Sequence, residues 1–136
     1  TIPVWSDPIE CVVAKDHILA NQDQITRPQL AEHGVLIQSH STHTRNIIDH
    51  ALKLDENTNI IMESNYLETI KAMIQNGLGW GVLPQSMIDN SLHQLKIKGV
   101  RMHRQLGFLL HELRTLSSPA NALLDTLRSQ GKTNNP

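Results

Sequence analysis

A chain of 136 residues has room for one ordinary domain, or for one small domain with pieces of a second, and excludes larger multidomain schemes. Its 39% of hydrophobic residues argues against disorder, and with two Trp, one Tyr and one Phe the core must come from Ile, Leu, Val, Met and Ala, shapes that suit a covered sheet. Twelve basic against thirteen acidic residues, a net charge of -1, supply no field to hold a phosphate backbone, so this stretch is not expected to bind DNA by itself.

Residues 9–14 (IECVVA), rich in β-branched types, follow Pro8 and precede the polar Lys15-Asp16-His17, which predicts a buried strand. Thr26-Arg27-Pro28-Gln29 matches a capping box and opens a short helix to about His33, which Gly34 stops. Val35-Leu36-Ile37 makes a second strand, too short for a helix before the polar run from Gln38 to Thr42. Ile47, Ile48, Ala51, Leu52 and Leu54 then recur at helical spacing and predict a helix over 42–54. A third strand is expected at 59–62. Ser64-Asn65 next supplies N-cap chemistry for a helix whose face is Leu67, Ile70, Met73 and Ile74 and whose end is Gly77.

Gly79-Trp80-Gly81-Val82-Leu83 forms a fourth expected strand whose glycines permit close backbone approach, and Pro84 begins a short helix through Ile88. Residues 95–100 and 106–110 are expected as further strands, the first half in water because of Lys96 and Lys98. Ser118-Pro119 starts a last helix striped by Leu123, Leu124 and Leu127, and residues 131–136 form a frayed tail. Alternating units of this kind imply an α/β fold with a mostly parallel sheet covered on both faces. No internal repeat and no low-complexity tract occurs.

In an open α/β sheet, ligands bind beyond the carboxyl ends of the strands, where helix amino ends present free amides. Two junctions are furnished for this. The first spans 38–44, with hydroxyls on Ser39, Ser41, Thr42 and Thr44 and imidazoles on His40 and His43, a donor-rich rim suited to a carboxylate or another oxyanion. The second is Glu63-Ser64-Asn65. Any one hydroxyl could simply cap its helix, but four around one turn exceed what capping needs.

Arg45, one turn into its helix, opposes the macrodipole and therefore either meets an anionic ligand or pairs with Asp49 at helical spacing, the internal pair being preferred. Trp80 either floors a pocket or packs under a helix, and packing is the preferred reading. Eight histidines raise a metal reading, with His43 and His50 two turns apart on one helix face and His33 and His40 near in sequence. That spacing is wider than a zinc-gripping i, i+4 pair and no Cys or carboxylate completes a set, so solvated histidines and no metal are expected. No nucleophile elbow, phosphate loop, zinc-protease motif or dinucleotide fingerprint is present, so neither an enzyme nor a cofactor is expected. Gly77-Leu78-Gly79 ends a helix and enters a strand, the reverse of a dinucleotide loop.

The single Cys11 excludes an internal disulfide, no leader pattern opens the chain and no apolar run approaches a membrane span, which points to a cytoplasmic protein. Thr1 begins abruptly, as a piece of a longer protein would.

The ordered motifs resemble one family, the LysR-type transcriptional regulators. Residues 7–20 (DPIECVVAKDHILA) are similar to the strand that crosses between the halves of the sensor and ends in Asp-His-Pro-Leu-Ala, with Ile18 standing here where proline is usual. Residues 25–31 resemble the Thr-capped helix, 39–49 the hydroxyl-rich loop ending in Thr-Arg, 68–84 (ETIKAMIQNGLGWGVLP) the most specific segment, and 106–127 the returning strand and closing helix.

The resemblance implies two Rossmann-like lobes in a type 2 periplasmic-binding-protein-like fold, with a small-molecule effector between them. It assigns 1–23 to a crossing strand and first-lobe remnant, 24–104 to the second, effector-binding lobe, and 105–136 to the returning crossing strand and first-lobe closing helix. The crossing strands themselves would be 7–16 and 105–112. DNA would be met only through an absent N-terminal winged helix-turn-helix domain, and the full-length protein would be a homodimer or homotetramer. Carried over by position, Ser39, His40, Ser41 and Thr42 face the effector from the loop, Asn65 from the next helix start, and Gly81 and Pro84 from beside the fourth strand. The alternative is a solute-binding protein of a transport system, which shares the bilobal plan.

Overall fold

A computed structural model describes residues 2–108 and 118–134, with side chains placed for 6–105 and 118–130. The described residues group into two compact units, one of residues up to Asp7 together with those from His103 onward, the other Pro8–Met102.

The larger unit is built on strands ordered β3-β2-β4-β1-β5, where β1 is Ile2–Ala14, β2 Val35–Gln38, β3 Ile60–Ser64, β4 Trp80–Pro84 and β5 Leu92–Gln94. Three helices accompany them: α1 (Arg27–Ala31), α2 (His43–Leu52) and α3 (Leu67–Gln75). Every residue of β2 and β4 is buried, as continuous apolar strands covered on both faces must be. Edge strand β3 instead alternates half-buried and exposed.

Side-chain alternation divides the core into two layers. Cys11, Val13, Val35, Ile37, Trp80 and Val82 pack with Leu30 of α1 and with Ile48 and Leu52 of α2. Val12, Leu36, Leu83 and Leu92 pack with Ile70 and Ile74 of α3. The helix faces expected from periodicity are the faces buried.

Strand direction departs from expectation. Strand β2 runs parallel to both β3 and β4, but β1 runs antiparallel to β4 (Cys11 opposite Val82) and to β5 (Val13 opposite His93), so the sheet is mixed. Apolar periodicity identifies a strand without encoding its direction, which depends on where the connection returns it. Residues 95–100 are not a ladder strand. Leu95 and Ile97 are buried and Lys96 and Lys98 exposed, so the alternation is real, but it serves a single bridge between Ile97 and Ile25 before Gly99 turns the chain at φ 74°.

Helix ends follow cap chemistry. The capping box forms, with the Gln29 amide donating to the Thr26 hydroxyl (3.3 Å) and the Thr26 amide to Gln29 Oε1 (2.9 Å). Helix α2 stops at Leu52, two residues early, because Lys53 turns left-handed (φ 55°) and the Leu54 amide returns to the Asp49 carbonyl (3.0 Å). Expected caps Ser64 and Asn65 do not cap α3: β3 runs through Ser64, whose hydroxyl accepts from the Tyr66 amide (3.0 Å), and Tyr66 itself holds the N-cap position. Gly77 (φ 80°) closes α3, its amide donating to Ile74 and that of Leu78 to Met73.

In the smaller unit β6 (Met102–Phe108) pairs with β1, and Arg104 donates through Nε and Nη2 to Asp7 Oδ2, the first at 3.0 Å. Helix α4 (Ser118–Asn134) runs through the expected frayed tail as far as Asn134, since a mid-helix glycine costs only about 1 kcal/mol relative to alanine and need not end a helix. Its Leu124 is buried and Leu123 exposed. The remaining expected strand residues, 109 and 110, and crossing-strand residues to 112 lie outside the described residues.

Glycines 34 and 79 set how closely the chain ends entering β2 and β4 approach. A Cβ on Gly79 would lie 2.4 Å from the Gly34 carbonyl oxygen, which the sheet holds, whereas one on Gly34 would meet the Ile61 side-chain tip, on a half-exposed residue that can swing away. Gly79→Ala is therefore expected to destabilise the fold by about 2 kcal/mol or more and Gly34→Ala by distinctly less. Urea unfolding of both variants measures the difference, and equal losses would refute the close contact.

Candidate functional site

Register brings the two sequence-predicted junctions to one edge. Gln38 at the end of β2 lies opposite Ser64 at the end of β3, and the Gln38 side chain donates from Nε2 to the Val82 carbonyl of β4 (2.8 Å), two residues before Pro84. The loop at Ser39, His40, Ser41 and Thr42, the residue Asn65 after β3, and Pro84 after Leu83 thus all stand at the carboxyl ends of three adjacent parallel strands. Gly81 does not. It is buried opposite Leu36, where a Cβ would strike Ile74 of α3 (2.5 Å) and the Leu36 carbonyl (2.8 Å), so its missing side chain serves helix packing.

Within the loop the hydroxyls divide. The Thr42 side chain accepts from the Arg45 amide (3.1 Å) and donates to the Ser39 carbonyl (3.0 Å), the work of an N-cap. Ser41 is held left-handed at φ 70°, a conformation that costs a non-glycine residue free energy. His40 and Ser41 are exposed and Ser39 half-buried, and among the described residues no side-chain bond engages the hydroxyls of Ser39 or Ser41. The edge therefore presents two available hydroxyls, an imidazole and the amino end of α2.

Arg45 underpins this loop from inside. Its buried guanidinium donates to Asp49 Oδ1 (2.8 Å), Glu63 Oε1 (2.9 Å) and the Gln38 carbonyl (3.0 Å), so the preferred internal pairing is the one formed. Burial works against its charge, but the bonds from Glu63 and Asp49 outweigh that and hold it protonated. Glu63 also accepts from the His40 amide (3.4 Å), tying loop to β3. A concavity of about 430 Å³ opens beside this network, lined by His40, Arg45, Asp49, Ile60 and Glu63 among others; Ser39, Ser41, Thr42 and Asn65 do not line it.

Sequence reasoning places Gln38 only as the first residue of the polar junction and passes over Tyr66 at this edge. Gln38 is buried with its Oε1 unpartnered among the described residues, and Tyr66, next to Asn65, is 76% exposed. Neither carries a periodic signal, because a glutamine after an apolar strand and a tyrosine before an apolar helix both look like boundary residues. Trp80 packs as preferred, 1% exposed, its indole N–H bonded to the His33 carbonyl (3.1 Å). Cys11 is buried and burial pushes its thiol well above the ordinary value, with Glu10 adding to the rise, so it is an inert core residue. Among the described residues no group of three or more His, Cys, Asp or Glu is placed to hold a metal, and no helix is long and apolar enough to cross a membrane.

The Arg45 bond holds the Glu63 carboxyl below its ordinary value of 4.5, burial opposing. A carboxyl lowered by folding contributes stability that is complete above its unfolded value and is lost as pH falls through the folded one. Wild type is thus expected to exceed Glu63→Gln in stability at pH 7, with the gap closing progressively below pH 4.5. Denaturant melts at a series of pH values read this, and a gap unchanged down to pH 3, on the order of one unit below the ordinary value, would sink it.

The family model described as the LysR substrate binding domain matches residues 1–132. An HTH-type transcriptional regulator from Shigella flexneri, YfeR, is 28% identical over 132 residues, covering 94% of this chain and 43% of its own length. A probable RuBisCO transcriptional regulator from Synechocystis is 26% identical over 141 residues, covering 97% of this chain and 41% of its own. The chain thus spans less than half the length of these curated relatives. Among solved structures, the regulatory domain of Synechocystis CcmR in complex with 2-PG superposes with a TM-score of 0.76 at 23% identity, over 98% of this chain and 67% of that one. The effector binding domain of QuiR in complex with shikimate gives 0.75 at 17%, over 99% and 66%. The reduced form of OxyR gives 0.72 at 19%, over 95% and 63%. These likenesses establish the periplasmic-binding-protein-like type 2 fold of LysR regulatory domains. With its family's model matched over nearly its whole length, the chain belongs to the LysR substrate-binding domain family.

Proposed function

We propose that this chain is the sensing part of a transcriptional regulator, in which a small anionic effector binds at the carboxyl edge of β2, β3 and β4 and thereby changes how the whole protein engages DNA. The observation carrying this is the register that sets Gln38 beside Ser64, because it stations the serine-bearing loop and the start of α3 at one edge. Ser39 and Ser41 donate hydroxyls, His40 an imidazole N–H, and α2 its first-turn amides beyond the Thr42 cap. Asn65 supplies an amide from the neighbouring strand end and Pro84 a rigid wall. Gly81 acts only through packing.

Family membership favours a regulator over a transport protein, since the matched relatives are transcriptional regulators. The neighbours solved with 2-PG and with shikimate support a small-molecule effector here. In the whole protein, residues 24–104 form the effector-binding lobe, 1–23 and 105–136 supply crossing strands and first-lobe pieces, and DNA contact belongs to a preceding helix-turn-helix domain in a cytoplasmic dimer or tetramer. The role is binding without turnover. The ligand shifts the assembly only by its differential affinity for two arrangements.

Thermal melts of the full-length regulator against small organic acids and inorganic anions test the reading. A true effector at a hundredfold its Kd stabilises by about 2.7 kcal/mol, a rise of several degrees. Ser39→Ala and Asn65→Ala, and Ser41→Gly, which keeps the left-handed backbone, are expected to diminish that rise and blunt induction in cells. An effector whose shift survives all three variants does not bind at this edge.

A further inference from the structure

The amino edge of the same parallel strands carries a second concavity. It is a groove of about 370 Å³, within the size range of small-ligand sites, bounded by α1, the carboxyl end of α2, the turn that follows it and the start of β4. Leu30, Leu52, Leu54 and Trp80 give it an apolar lining, and Arg27 and Lys53 are its cations. Since β2, β3 and β4 run parallel, this edge is a strand length away from Ser39 and Ser41, and the groove meets the concavity beside His40 at Leu54, Asp55 and Thr58.

The groove's polar groups have a definite arrangement. Arg27 Nε donates to the Ala51 carbonyl at the end of α2 (3.2 Å), which fixes the guanidinium, while no described residue accepts from Nη1 or Nη2. A guanidinium anchored on one side and free on its terminal nitrogens is suited to grip a planar carboxylate. Lys53 holds the left-handed turn that ends α2 at the groove. The acid among the described lining residues, Asp55, is turned into its own loop, accepting from the Asn57 amide (2.9 Å). Trp80 has its indole N–H engaged by the His33 carbonyl, so its ring serves the groove as apolar surface.

We infer that this groove is a second small-molecule site, which takes a monocarboxylate with a compact apolar body. The carboxylate lies against Arg27 and Lys53, and the body against Leu30, Leu52, Leu54 and Trp80. The inference is independent of the effector reading at the opposite edge, and either can fail alone.

Titration of the 136-residue chain with phenylacetate, followed by two-dimensional nitrogen-proton NMR, tests it, with phenylacetamide as the neutral isostere. Saturable shifts are expected at the Trp80 indole N–H and at the amides of 52–54, with the amide binding about tenfold more weakly or worse. Arg27→Gln is expected to weaken the acid about tenfold and Arg27→Lys, which keeps the charge, by less. Lys53→Gly relieves the left-handed strain, so it is expected to raise thermal stability while lowering affinity, a combination that a purely structural role does not produce. Ser41→Gly, at the other edge, is expected to leave the titration unchanged. Should Arg27→Gln fail to fold, Arg27→Lys and Lys53→Gly decide the matter. Equal binding of acid and amide, shifts confined to residues 39–42, or no saturable shift at Trp80 and 52–54 each overturns the assignment.

Discussion

A guanidinium withdrawn from water must have its charge neutralised and its donors satisfied, and Arg45 meets both demands by drawing three separate pieces of chain together. Asp49 comes from its own helix, Glu63 from the neighbouring strand and the Gln38 carbonyl from the strand before. The Thr42 cap sits one turn away and is held by the same stretch, and the His40 amide closes back on Glu63. The loop at the carboxyl edge is therefore shaped from beneath by an ion-pair network that lines a concavity with His40, apart from the two serines. That division lets Ser39 and Ser41 stay available while the backbone carrying them, strained at Ser41, keeps one conformation.

The sheet beneath supplies the rest of the geometry. Parallel pairing of β2 with β3 and β4 places their amino ends at one edge and carboxyl ends at the other, and each edge acquires its own chemistry. Hydroxyls and a helix amino end gather at the carboxyl edge, the environment that suits an oxyanion. At the amino edge the carboxyl end of α2, which favours cations, is met by Arg27, and an apolar floor forms where Trp80 and Leu52 close the core. Glycines 79 and 81 set the spacing, since each stands where a Cβ would collide with neighbouring backbone. Burial of Cys11 in the same core shows why it is not a functional group, although it is chemically conspicuous.

Much of this was legible in the residues. The box at Thr26 and Gln29, the stop at Gly77, the apolar faces of α2 and α3 and the hydroxyl cluster after β2 are local, because each depends on neighbours within a turn or two of chain; α1 instead ends at Ala31 with Glu32 as its C-cap, short of the expected stop at Gly34. The misreadings share a cause as well. Residues 95–100 alternate correctly yet pair through one bridge, α3 lacks the side-chain cap its preceding residues offer, and Gly131 does not end α4. In each case the local signal is a preference worth only about 1 kcal/mol, too small to decide the outcome by itself.

The amino-acid sequence by itself determined most of the strands and helices, which of their faces are apolar, and that a donor-rich turn follows the second strand; these rest on short-range sterics, capping and periodicity. Only the tertiary structure decided that β1 enters antiparallel, that Gln38 and Ser64 share a register, that Arg45 turns inward to Glu63, and that Arg27 borders a groove with Trp80. Contacts between residues 18 to 50 or more positions apart depend on how the chain returns on itself, and no local spacing records that.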